Sequence, residues 1–133
     1  MWRLMAVVAL MSGCATFTKD SPVAEKLALA TEQAQARWEL IIKGDPGAAY
    51  DRFMSQGSRQ VISRADFVAT MKRTAFRTAK VEQVECPGES CKVTVRITYD
   101  HQQKKGIEMK GVGLSLAENW IIEDGRLWYV WSQ

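Results

Sequence analysis

Lys92-Val93-Thr94-Val95-Arg96-Ile97-Thr98-Tyr99-Asp100 alternates without a fault. Val93, Val95, Ile97 and Tyr99 fall on one face, and Lys92, Thr94, Arg96 and Thr98 on the other. A period of two with one apolar and one polar face is that of an antiparallel strand buried on one side only. Working outward, Ala79 to Glu85 is a second strand before it, and Cys86-Pro87-Gly88-Glu89-Ser90-Cys91 is the turn between them. Beyond it, His101 to Gly106 is a polar hairpin loop. Ile107 to Ile122 is too long for one flat strand, and Gly111 and Gly113 predict a bulge or bend within it. Asp124-Gly125 is a two-residue hairpin turn leading into Leu127 to Trp131.

Upstream of Arg77 the period is near four. Ser21-Pro22 predicts a helix start, with Ser as cap and Pro in the first turn. Leu27, Ala30, Ala34, Trp38, Ile41 and Ile42 form one apolar face as far as Lys43. Glu25, Lys26, Glu32, Gln33, Arg37 and Lys43 are assigned to the remaining faces. That mixed charge predicts a helix against a core, because a membrane-surface helix would be mainly Lys and Arg there. Gly44-Asp45-Pro46-Gly47 breaks it and starts a short helix with Ala48, Ala49, Tyr50, Phe53 and Met54. A polar loop from Ser55 to Arg59 is expected, then a helix capped by Ser63 through Phe67, Val68 and Met71. Helices first and an antiparallel meander second predict an α+β domain with helices packed on a bent sheet of about four strands.

The amino terminus is an address. Arg3 precedes the apolar run Leu4 to Met11, which is too short to cross a bilayer, a span that takes about 20 residues. Met11-Ser12-Gly13-Cys14 then resembles the lipobox of bacterial lipoproteins, although Met11 replaces the usual Leu. The resemblance implies cleavage before Cys14, a diacylglyceryl group on its thiol and acylation of the new amino terminus. Residues 1–13 are then the signal peptide, 14–22 the lipidated Cys and its polar tether from Phe17 to Ser21, and 23–133 the domain. Ala15, where the inner-membrane retention pattern places Asp, implies the periplasmic face of the outer membrane. The alternative is an ordinary cleaved signal with Cys14 incidental.

In such an oxidising compartment, Cys86 and Cys91 are expected to form a disulfide. A metal site would need more ligands than the single His101 offers, and a redox pair usually has two intervening residues, not four. The 133 residues carry 18 Lys+Arg against 15 Asp+Glu, scattered, so no nucleic-acid footprint is present. One His also disfavours the common zinc enzymes and His-activated nucleophiles. No cofactor or metal is expected.

Arg37-Trp38-Glu39, Lys43-Gly44-Asp45, Ala48-Ala49-Tyr50 and the closing Glu118-Asn119-Trp120 to Asp124-Gly125-Arg126-Leu127-Trp128-Tyr129 are together similar to the nuclear-transport-factor-2-like superfamily. The likeness spans roughly residues 23 to 132. It implies a cystatin-like α+β cone, a curved sheet wrapped round helices to leave a cavity. That superfamily holds isomerases, dehydratases and inert accessory domains alike, so it implies fold more than function.

Candidate cavity or binding residues are Tyr50, Tyr99, Glu118, Trp120, Trp128 and Trp131. Tyr50 and Tyr99 read most simply as core tyrosines. Glu118 shares strand parity with Trp120 and Ile122, so it is expected to point inward and to need a partner, for which Arg96 or a tyrosine is available. Asp100 and His101 are expected to be solvated in a loop. No catalytic pair maps onto the chain, so no catalytic residue is assigned, and Glu118→Gln is expected to leave the function of the folded protein intact. The expected role is that of a membrane-anchored, non-catalytic binding or accessory module for an envelope protein or a second copy. The alternatives are a small isomerase-like or dehydratase-like enzyme, or a carrier for an apolar small molecule in the cavity.

Overall fold

The computed structural model describes residues 17–102 and 108–132. Helix α1 (Val23–Lys43) is followed by α2 (Pro46–Phe53), α3 (Gln56–Val61) and α4 (Arg64–Lys72). Four strands complete the chain: β1 (Ala75–Glu85), β2 (Ser90–Gln102), β3 (Glu108–Glu123) and β4 (Arg126–Val130). They form one antiparallel sheet in the order β1-β2-β3-β4. The α+β class and the helices-then-meander order match the sequence pattern. The signal segment and Cys14 lie outside the described residues, as do residues 103–106 of the expected loop and Ile107, the expected start of the next strand.

Small residues set the position of α1. Ala30 and Ala34 are fully buried, so the helix backbone lies close against the sheet, and Trp38 and Ile41 continue the same stripe. Lys26 and Arg37 are also buried, contrary to their expected place on the polar faces. Arg37 follows Ala34 by three and precedes Ile41 by four, which is stripe geometry for any residue type. The expected Ser21 cap is displaced as well. Pro22 holds the cap position and its carbonyl accepts from Lys26 N, while Ser21 Oγ accepts from Thr18 N at 2.9 Å in the preceding turn. Phe17, assigned to a polar tether, is buried in the core, because its ring gains more from burial than a free tether gains from motion.

The cap expected at Ser63 is present, accepting from Asp66 N at 3.1 Å, and Asp45, in the segment expected to start the second helix, caps it by accepting from Ala48 N at 3.1 Å. The polar loop expected at Ser55 to Arg59 is instead the start of α3, capped by Ser55. Arg59 accounts for it, donating to the carbonyls of Met54, Tyr50 and Asp51 at 2.9 to 3.1 Å and so satisfying the free end of α2.

Three irregularities bend the sheet. The β1–β2 register slips at Arg77 and again at Glu82, each an extra residue on β1. The third sits in β3, between the pairs Tyr99–Val112 and His101–Met109, where Gly111 takes φ +65°. Asp100 joins the first and the last, accepting from Arg77 Nε at 2.7 Å and from Gly111 N at 3.0 Å. It therefore belongs to β2, with His101, instead of to a solvated loop, and Arg77 holds its carboxyl below the usual range. Gly113 is no bulge; the Arg96 guanidinium lies where a Cβ would be. Asp124 and Gly125 both have positive φ, 51° and 72°, as the favoured hairpin turn requires. Cys86 and Cys91 form the expected disulfide, which closes the β1–β2 turn and contributes about 2 kcal/mol by loop entropy.

The helix-covered face carries Val93, Val95, Ile97, Trp120 and Leu127, all buried. Trp120 sits at its centre, edge-on to Phe53 and Tyr129 at centroid distances of 5.9 and 5.7 Å. Phe67 of α4 links Tyr50, at a tilt, to Trp131, edge-on. The exposed edge of β4 is covered by the segment after α2, where Ser55 N donates to Tyr129 O at 2.9 Å.

Candidate functional site

Arg37 on α1 and Glu118 on β3 meet under the helical layer. Arg37 Nη1 donates to Glu118 Oε2 at 3.0 Å, with side-chain exposures of 2% and 4%. Trp38 Nε1 donates to the same oxygen at 2.8 Å, and Trp120 Nε1 reaches Oε1 at 3.3 Å. Two adjacent residues of one helix thus converge on one carboxylate, because positions 37 and 38 straddle the buried stripe of α1. The guanidinium carbon lies 3.5 Å from the Tyr129 ring centroid, stacked on the aromatic face. Each charge has its opposite and each indole N–H has an acceptor, which burial demands.

Above this pair is a cavity of about 360 Å³. Trp38, Met71, Phe76, Leu116 and Trp131 give it apolar walls, and Arg37, Glu118 and Tyr129 form its floor. Burial pushes the Tyr129 phenol up from its ordinary value of 10.0; Arg37 pulls it down and Glu118 raises it further. The unfolded phenol therefore releases its proton first as pH rises. This part of the stability is whole below about pH 10 and is lost above it. Melting curves from about pH 9 to about pH 11 should show a steeper alkaline loss for the natural chain than for Tyr129→Phe. Parallel slopes would remove Tyr129 as the cause.

The structure brings together only some of the residues singled out from sequence. Glu118 is at the floor and Trp131 is in the wall, while Trp120 is buried in the core and reaches the site only through its bond to Glu118 Oε1. Tyr50 is a core tyrosine whose hydroxyl donates to Ile62 O at 2.8 Å, away from the cavity. Tyr99 is half-buried on the helix-covered face, opposite Phe76. Trp128 is on the other face of the sheet, under the Arg126 guanidinium at 4.4 Å and donating from Nε1 to Glu123 O. Arg96, offered as the partner of Glu118, lies across Gly113 on that outer face, because residue 96 has the opposite parity to the buried Val95.

Arg37, Trp38, Met71, Phe76, Leu116 and Tyr129 were not foreseen as site residues. The three- and four-residue spacing of Arg37 within the α1 stripe was the available signal. Among the described residues, no cluster of three or more His, Cys, Asp or Glu side chains could hold a metal ion, and no helix is long and apolar enough to cross a membrane.

No protein-family model and no curated protein matches the sequence. A solved structure shares the fold. It is the solution structure of a SEC-C motif containing protein from Rhodopseudomonas palustris, similar over 74% of this chain and 72% of that one, with a TM-score of 0.57 and 13% identity. At that identity the likeness concerns the arrangement of helices and sheet alone. The site described above is therefore read from its own residues.

Proposed function

We propose that the protein is a lipid-anchored module of the cell envelope that works by binding, with its cavity taking a small apolar molecule. One observation carries the choice of binding over catalysis. Both oxygens of Glu118 are already occupied by donors from Arg37, Trp38 and Trp120. A general acid or base must exchange a proton with a substrate within hydrogen-bond reach. The Arg37 ion pair and the two indole donors hold this carboxylate ionised and engage most of its roughly four lone-pair sites, which disfavours that role. The cavity volume lies near the low end of the range of about 300 to 1,000 Å³ usual for small-ligand sites. The mutual neutralisation of Arg37 and Glu118 leaves no net charge at its floor, so an uncharged apolar guest fits best.

Anchoring rests on the leader, with Cys14 as the acylated residue and the periplasmic face of the outer membrane as the place. The bent sheet beneath helices, with a cavity between them, is the arrangement a nuclear-transport-factor-2-like cone requires, and supports that assignment. A second reading, docking of an envelope protein or a second copy, is favoured by Trp128. A half-exposed Trp stacked with Arg on an open sheet face is the composition of an interface anchor.

The cavity is tested with N-phenyl-1-naphthylamine, an uncharged apolar fluorophore. Saturable emission enhancement is expected, weakened at least about tenfold (about 1.4 kcal/mol) by filling the cavity with Leu116→Trp or, from the opposite wall, Met71→Trp. Absence of saturation, or equal affinity in folded filled variants, would overturn the ligand reading.

A further inference from the structure

The chain joins the fold at one pole, and one buried lysine holds it there. Phe17 is anchored in the core, and Thr18 to Ser21 make a tight turn, Ser21 N donating to Thr18 O at 3.0 Å. Lys26, in the first turns of α1, is 4% exposed. Its ammonium donates to the Lys19 carbonyl and, at 2.9 Å, to the Gly88 carbonyl. A buried ammonium is costly unless its protons find acceptors. Here they come from the incoming segment and from the disulfide-closed turn, 62 residues away from Lys26. Ile122 N donates to Glu89 O at 2.9 Å, fastening the same turn to β3. The incoming chain, the start of α1 and the Cys86–Cys91 turn are thus one unit.

Three residue steps separate Phe17 from Cys14, a reach of at most about 11 Å. A domain of this size is about 35 Å across. A leash so short, fixed at one pole, cannot let the opposite pole turn to the membrane. The cavity lies away from the leash. Arg37 is about 16 Å along α1 from Lys26. Phe76 is separated from Glu85, next to the disulfide, by about 30 Å of strand β1.

Resting on the proposed acylation of Cys14, we infer that the disulfide-closed turn is the surface held against the lipid bilayer, so that the cavity opens away from it. The turn presents Pro87, Glu89 and Ser90, with Glu85 and Glu123 exposed beside it. These polar residues rest among headgroups without entering the hydrocarbon, and the acyl chains supply the affinity. The disulfide and Lys26 together fix which way the domain faces.

The test uses the acylated protein, extracted from membranes and returned to phosphatidylcholine vesicles containing a nitroxide-headgroup lipid. A fluorophore is attached at Glu89→Cys or, at the α4–β1 junction, Arg73→Cys, with the disulfide oxidised. Quenching at 89 is expected to exceed that at 73 by at least about threefold, since the two sites differ in depth by close to the length of β1. Lys26→Met keeps the apolar stem but removes both carbonyl bonds. It should shrink that ratio and speed tryptic cleavage after Lys19. Equal or reversed quenching in an acylated protein would overturn the orientation while leaving the anchor intact. An unmodified Cys14 would overturn both.

Discussion

Glu118→Leu is expected to cost about 3 to 5 kcal/mol, because it leaves the Arg37 guanidinium buried and unpaired. In a chain of this size that is roughly 10 °C or more in Tm, and a large share of the total stability of a natural domain. Glu118→Gln should follow in the same direction by a smaller amount. Its amide keeps one acceptor oxygen for the donors on Glu118 Oε2, yet supplies no charge and turns an N–H₂ toward Trp120 Nε1. Any loss of function in Glu118→Gln should therefore track the unfolded fraction. A specific loss in a fully folded protein would point back to a chemical role. The double variant Arg37→Met/Glu118→Leu should recover the part of the loss due to the unpaired charge, while the Trp38 and Trp120 indole N–H groups still lack their acceptor. Thermal or urea unfolding of these three variants and of Arg37→Met alone checks this. A double variant as unstable as the sum of its singles would mean that the pair acts through something other than mutual compensation.

Trp120→Ala should cost a comparable 3 to 5 kcal/mol, about the figure for emptying a large aromatic site in a core. Trp120 is fully buried, packs edge-on to Phe53 and Tyr129, and supplies the donor to Glu118 Oε1. Trp120→Phe separates these contributions. It retains most of the packing and loses only the indole N–H, so about 1 to 2 kcal/mol is expected from the unsatisfied acceptor and the smaller ring. Urea midpoints at constant slope would measure both. A Trp120→Ala protein within about 1 kcal/mol of the natural chain would show that the helical layer closes over the gap, in conflict with the packed core described here.

Regular elements were legible in the sequence and irregular ones were not, for identifiable reasons. The alternation of Val93 to Tyr99, the helix break at Gly44 to Gly47, the cap at Ser63, and the Asp124-Gly125 turn are local signals, and tertiary packing left them in place. Strand β1 begins four residues earlier than its pattern suggests because the inward residues Phe76, Ala79, Val81 and Val84 are spaced three, two and three apart. The bulges at Arg77 and Glu82 insert the extra residues, so a period of two never shows. Helix α3 was hidden because its composition is that of a loop, and what stabilises it is Arg59 reaching back to α2.

The candidate site was half legible. Strand parity placed Glu118 and Trp120 inward. The cationic partner was sought on β2 and found on α1, more than eighty positions away in sequence, a long-range pairing that no local pattern encodes. Charge type misled the placement of Lys26 and Arg37: both were put on wet faces for being cationic, although helical spacing put them on the buried stripe. In each case a carboxylate or carbonyl from a distant segment pays for the burial, and the sequence shows the lysine and arginine but not their acceptors.

The measurement that bears most directly on a tethered binding module is the intact mass of the protein extracted from membranes, before and after reduction. The expected mass is that of a chain beginning at Cys14, increased by a diacylglyceryl group and an amino-terminal acyl chain, with Cys86 and Cys91 joined and gaining two hydrogen atoms when a reductant is added. A mass equal to the unprocessed 133-residue chain with all three thiols free would contradict it.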